Sequence, residues 1–154
     1  MSSDPKATIK EFLTKAGLSS EYDDKYHQFR SVVKVSVPAL KQELDYPLAV
    51  TILPDWVVIE AAVVDLKNPP PSVNMEKIYD GLLRANFIFP EVNFALYQTL
   101  VVSLAWSKIS ALSLENFSAE FDGVISGISR FPEIVTYAKL LSMKPPKEFS
   151  PMYQ

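Results

Sequence analysis

Cysteine is absent from this 154-residue chain and histidine occurs once, as His27. Disulfides and thiolate-bound metals are therefore excluded, and a zinc or iron site would have to rest on His27 and carboxylates alone. Oxygen-ligated magnesium or calcium is chemically open, but the acids show no ligand spacing, so neither a metal nor a cofactor is expected. The four glycines form neither Gly-x-x-x-x-Gly-Lys-Ser/Thr nor Gly-x-Gly-x-x-Gly, which leaves ATP and dinucleotide binding without a signal. The serine elbow Gly-x-Ser-x-Gly is missing too. There is no uninterrupted apolar run near the roughly 20 residues needed to span a bilayer. The opening Met1-Ser2-Ser3-Asp4 lacks the order of a signal peptide. A formal charge of -3, from 15 basic and 18 acidic side chains without a basic run, gives no footprint for nucleic acid. A cytoplasmic protein without membrane or nucleic-acid partners is expected.

Apolar residues, by contrast, make up 48% of the chain. At this length folding buries about two-thirds of the extended surface, which is enough for one core without staples. Asp4 and Pro5 mark an N-cap and a first helical position. Ile9, Phe12, Leu13 and Ala16 then share a stripe, and Gly17 is the stop. Leu18 to Lys25 reads as a connector. From Phe29 to Val37 the period becomes two, with Phe29, Ser31, Val33, Val35 and Val37 opposed to Arg30, Val32, Lys34 and Ser36. A turn or short helix over residues 39–46 leads to a strand from Leu48 to Leu53. After Pro54-Asp55, a longer strand from Trp56 to Leu66 sets Trp56, Val58, Ala62, Val64 and Leu66 on one side. Glu60 interrupts that side. A β-bulge there, or a place near an end or a partner surface, would spare it the cost of an unpaired buried charge.

Pro69-Pro70-Pro71 forms a stiff crossing to a helix capped by Asn74 and running to Ala85. Strands follow at Val92 to Leu96 and Thr99 to Trp106, joined at Tyr97-Gln98; both faces of the second are apolar enough to be covered. Ser113 caps a helix carrying Phe117, Phe121, Val124, Ile125 and Ile128, whose Gly123 and Gly127 suit the close approach of a neighbouring backbone. Pro132 is expected to kink this helix or to begin another bearing Ile134, Val135, Ala138 and Leu141. Residues 145–154 read as an extended tail, from which Phe149 and Tyr153 could dock into a groove. The sum is one α+β domain over residues 4–144. Its order is helix, three strands, helix, two strands and a C-terminal helical region, with a mainly antiparallel sheet packed by helices.

Two sets of side chains are candidate sites. Tyr26, His27 and Glu60 are the polar candidates: Asp23 or Asp24 could orient the His27 imidazole for proton transfer, and Glu60 with Asp55 or Asp65 could bind a cation or share acid–base work. The alternative for each is a connector surface or a strand edge. Phe87, Phe89, Trp106, Phe117 and Phe121 form the apolar set, suited either to the core or to a groove or self-association surface.

The helix at Asp4-Pro5 through Ala16, the alternating Phe29–Val37 run, the strands between Leu48 and Leu66, the Asn74–Ala85 helix, the Val92–Trp106 pair and the Ser113–Leu141 region carry a resemblance. In that order they resemble the type III secretion chaperone-like fold and, more loosely, the bacterial sensory-transduction-regulator-like family. The resemblance implies a small, often dimeric binding protein and assigns no catalytic residue. The chain departs from familiar secretion chaperones at Pro69-Pro70-Pro71 and in its proline-interrupted C-terminal region. The expectation is a noncatalytic protein-interaction or chaperone-like module, homodimeric, with a protein or peptide partner. A small-molecule-sensing regulatory domain and a small enzyme built on the His27 region are the alternatives.

Overall fold

Alternation of apolar residues on the strands leaves each strand with a side to bury, and helix stripes of matching width cover one face of the resulting sheet. The protein's computed structural model describes residues 4–135 and 145–153. Its elements are α1 (Pro5–Lys15), β1 (Ser20–Asp23), β2 (Gln28–Val37), β3 (Gln42–Ile52), β4 (Trp56–Asp65), α2 (Met75–Ile88), β5 (Phe94–Tyr97), β6 (Leu100–Lys108) and α3 (Leu114–Val135). The strands form one six-stranded sheet in the order β1-β2-β3-β4-β6-β5, antiparallel at every pairing. This is the expected α+β architecture, with α1, α2 and α3 contributing to the principal core on one face.

The helix ends follow their local chemistry. The Asp4 carboxylate accepts from the Lys6 amide at 3.1 Å. At the other end of α1, Gly17 adopts φ +74°, the Gly17 amide donates to Thr14 O and the Leu18 amide to Leu13 O. That paired closure needs a left-handed residue, which glycine supplies without a Cβ penalty. In α3, Gly123 and Gly127 face the neighbours expected of them. A Cβ on Gly123 would lie 2.6 Å from the Glu91 carbonyl oxygen, and one on Gly127 would meet the Ser103 hydroxyl. Their absence lets α3 cross β6 closely enough for Ser103 Oγ to donate to Val124 O at 2.9 Å.

Several boundaries differ from the sequence reading. The connector contains β1, a short strand that among the described residues pairs only with β2. β3 begins at Gln42, and its first half, through Pro47, pairs with β2 alone; β4 joins only from Leu48. Proline is tolerated in this strand because one side of it lacks a ladder there. The β4 irregularity lies between Ala62 and Val64, not at Glu60. The extra residue moves Val64 and Leu66 to the helix-covered core, while Val58 and Ala62 stay on the opposite face. The last hairpin turns at Gln98-Thr99. α3 runs through Pro132 to Val135 without a new helix starting at the proline; Ala138 and Leu141 lie outside the described residues. No helix among the described residues is long and apolar enough to cross a membrane.

The opposite sheet face has a smaller core of its own. Ala49, Val58, Ala62, Val102 and Leu104 pack beneath Phe149, which lies in residues 145–153, a segment outside any helix or strand.

Candidate interaction surfaces

Helix α2 buries Ile78, Gly81, Leu82 and Ala85 toward the core. Its cap is Asn74, whose side chain accepts from the Lys77 amide at 3.1 Å. An amphipathic helix should be polar on the other side. Here Tyr79, Leu83 and Phe87 repeat at intervals of four and emerge into solvent with Ile88. Leu83 is 71% exposed and Phe87 90%. Asp80 and Arg84 lie along the same turns and form an ion pair at 2.8 Å.

The edge strand β5 lies beside this stripe. Asn86 fixes the helix to it: the side-chain amide donates to Phe94 O at 2.9 Å, and the Phe94 amide donates to Asn86 Oδ1 at 2.7 Å. Leu96, on the same sheet face as Phe94, is exposed. Among the described residues β5 pairs with β6 alone. An apolar helix stripe therefore adjoins the outer edge of β5, where Asn86 already pairs the Phe94 backbone and Leu96 is exposed. The stripe is costly to leave in water, since burying a leucine or phenylalanine gains about 1.5–3 kcal/mol. Asn86 and Leu83 were not among the site residues expected from sequence. In sequence Met75, Ile78, Tyr79, Leu82 and Leu83 read as one buried stripe, and only the observed packing separates the exposed Tyr79 and Leu83 from the buried Ile78 and Leu82.

The remaining apolar candidates do not gather with Phe87. Phe89 is half-buried, with the Arg130 guanidinium 4.4 Å from its ring centroid. Arg130 in turn pairs with Glu91 at 3.7 Å. Phe117 is fully enclosed, its ring centroid 4.3 Å from that of Phe12, so it is occupied in joining α1 to α3 and offers no surface. Phe121 packs edge-on against Phe12 and is partly buried. Trp106 lies half-exposed on the opposite sheet face, near Trp56 on the neighbouring strand.

The polar candidates separate as well. Tyr26 and His27 belong to the β1–β2 turn, where His27 is exposed and has φ +52°. Its carbonyl accepts from the Ile52 amide of β3 at 2.8 Å, which extends the β2–β3 ladder independently of the imidazole. Glu60 lies mid-strand on β4 beneath the C-terminal segment, only 4% exposed, and its carboxyl is met by Tyr153. Burial raises its pKa above the usual carboxylate value, while the Tyr153 hydrogen bond opposes the rise. The Tyr153 phenol is raised by burial first, and then by its bond to Glu60 and the charge there. Among the described residues no three histidine or acidic side chains converge on a point that could hold a metal.

The segment over Glu60 is held mainly by side chains. Gln28 grips it twice: Nε2 donates to Pro151 O at 3.1 Å, and Oε1 accepts from Ser150 Oγ at 3.3 Å. The Met152 amide donates to the Tyr97 hydroxyl at 3.2 Å, and the Tyr97 ring meets Phe149 edge-on at 6.1 Å. A groove of about 720 Å³ runs beside it, lined among others by Leu18, Arg30, Val32, Pro47 and Phe149.

No protein-family model and no curated protein matches the chain by sequence. Solved structures do match its fold. YbjN from E. coli superimposes with a TM-score of 0.58 at 13% identity, over 94% of this chain and 97% of that one. A chain of the HopA1-SchA chaperone-effector complex gives 0.57 at 12% identity, over 83% and 92%. One from the heterodimeric ExoU-SpcU complex of the Pseudomonas aeruginosa type III secretion system gives 0.53 at 15%, over 82% and 97%. At these identities the likeness is one of fold, and it is the type III secretion chaperone-like fold that the order of elements resembles.

Proposed function

We propose that this chain is a noncatalytic, chaperone-like protein-interaction module of the cytoplasm that works as a homodimer. The observation that carries this reading is the α2 stripe beside β5, where Leu83 and Phe87 are largely exposed to water. A second copy related by a two-fold axis is the occupant that fits. The stripe is self-complementary in apolar character, and the Asp80–Arg84 pair along it presents both charge signs for reciprocal pairing. Two solved structures of this fold are chaperone-effector or heterodimeric complexes, which supports a protein or peptide as the further partner. Phe89, Trp106 and Phe121 retain partial exposure and are secondary contact candidates.

Size-exclusion chromatography with light scattering tests the reading. The wild-type chain should elute with the mass of two chains at micromolar concentration, and Leu83→Asp should elute as one. A wild-type monomer throughout the micromolar to submillimolar range would remove the dimer.

A further inference from the structure

The C-terminal segment rests on the second sheet face in a way unlike the helices on the first. Only one of its rings, Phe149, is deeply buried, and its fixed points are Gln28, Tyr97 and Glu60, all side chains. None of its residues pairs with a strand. It leaves the adjoining groove of about 720 Å³ unfilled, along with a second of about 390 Å³ lined by Val32, Leu44, Asp45, Pro47 and Pro145. Beneath it lie two buried oxygens without a hydrogen-bond partner, Glu60 Oε2 and Thr51 Oγ1. Thr51 is 1% exposed and Glu60 4%. Ala49 faces Glu60 and Thr51 faces Val58, so the two polar side chains are diagonal neighbours on one face. A single phenol hydroxyl carries one proton and satisfies one acceptor. The segment thus fits the face sterically and leaves its polar floor half-served, which costs free energy for each buried group left unpaired.

We propose that this sheet face is a peptide-docking surface with the chain's own residues 145–153 as its resident occupant. Its external ligand is an extended partner segment carrying an aromatic residue and, four positions later, a lysine or arginine. The aromatic takes the Phe149 site among Ala49, Val58, Ala62, Val102 and Leu104. The cation takes the Tyr153 site, where several donors on one head group serve both Glu60 and Thr51 and pair the buried carboxylate. Self-occupancy lowers the apparent affinity for the partner by the fraction of time the face is open. The inference rests on the reading of this chain as a protein-binding module, but it uses a surface separate from α2.

The chain supplies its own reporter, because its two tryptophans, Trp56 and Trp106, both border this face. The experiment titrates full-length wild type and full-length Phe149→Ala with a synthetic peptide of residues 145–154 and with the same peptide carrying Tyr153→Lys, following tryptophan fluorescence. Phe149→Ala should bind the unmodified peptide saturably, the lysine peptide at least about tenfold more tightly, and a peptide carrying Phe149→Ala not at all. Wild type should need at least about tenfold more of either binding peptide. Absence of binding to Phe149→Ala by both peptides overturns the docking surface, and equal affinity for the two overturns the cation site. Hydrogen exchange on wild type guards against a variant that fails to fold. The Met152 amide should exchange at least about a hundredfold faster than amides of β4, and equal protection would make the segment a fixed part of the core. Peptide binding by a monomeric chain would remove the α2 dimer alone; a dimer indifferent to the peptides would remove the docking face alone.

Discussion

The Tyr153 phenol interacts with the buried carboxyl of Glu60, a residue flanked across the sheet by Ala49 on β3 and Leu104 on β6. Burial raises the Glu60 pKa in the folded state, so folding takes up a proton there at mildly acidic pH. Between the unfolded value and the raised folded one, the folded chain holds more protons than the unfolded chain. Stability therefore falls as pH rises, by up to about 1.4 kcal/mol per pH unit, and the penalty is complete above the folded pKa. Glu60→Gln removes this dependence. Urea unfolding should find the variant gaining on wild type as pH increases through that window and holding a constant advantage above it; a difference that is flat with pH would contradict the assignment.

Gly123 and Gly127 set the depth at which α3 lies on the rest of the fold. Gly123→Ala drives a Cβ against the Glu91 carbonyl, a backbone atom with little freedom to move, and should cost about 1–3 kcal/mol in chemical denaturation. Gly127→Ala collides with the Ser103 hydroxyl, so Ser103→Ala should partly relieve it. The double variant is expected to be less destabilised than the sum of the singles by about 0.5–3 kcal/mol. Strict additivity would mean that the helix shifts as a body instead.

How far the fold is legible from sequence depended on whether one residue's environment followed from its neighbours. β2 was readable because one face is buried and the other wet, so Val33, Val35 and Val37 alternate with exposed Val32, Lys34 and Ser36. β1 was not, since an edge strand of four residues held largely by Tyr22 against Phe29 carries no period. On β4 both faces are apolar and parity alone cannot locate the bulge; Glu60 marked the difficulty, and its resolution is a second covering layer that comes from the far end of the chain. The apolar site residues suffered the same limit. A phenylalanine in a helix stripe looks alike whether it ends as Phe117 in the core or as Phe87 in water.

Three turns place side chains where glycine is the easier residue: His27, Lys41 and Gln98 have φ of 52°, 51° and 56°. The left-handed region costs a residue with a Cβ roughly 1–2 kcal/mol, partly offset in a glycine variant by the larger entropy of its unfolded chain. Lys41→Gly and Gln98→Gly should each stabilise the fold by about 0.5 kcal/mol, read as a shift in the urea midpoint at unchanged slope. His27→Gly should do the same, in keeping with a residue whose bond to β3 runs through its backbone carbonyl. Loss of stability in all three would show that the side chains contribute more than their backbone geometry costs.

Phe117 and Phe87 give opposite expectations for the same substitution. Phe117 is sealed between α1 and α3 against Phe12, so Phe117→Ala leaves a cavity and should cost about 3–5 kcal/mol of unfolding free energy. Phe87→Ala removes a ring that touches mostly water, and at concentrations low enough to keep the chain monomeric its stability should lie within about 0.5 kcal/mol of wild type. Association separates them in the other direction. If Phe87 meets a second copy, loss of its ring from both sides of a two-fold interface removes about 1.5–3 kcal/mol per side, so the dimer dissociation constant should rise by at least about a hundredfold. Sedimentation across a concentration series, paired with urea unfolding of the same samples, reads both quantities. A Phe87→Ala chain that dimerises like wild type would move the interface away from α2, however exposed the helix stripe is.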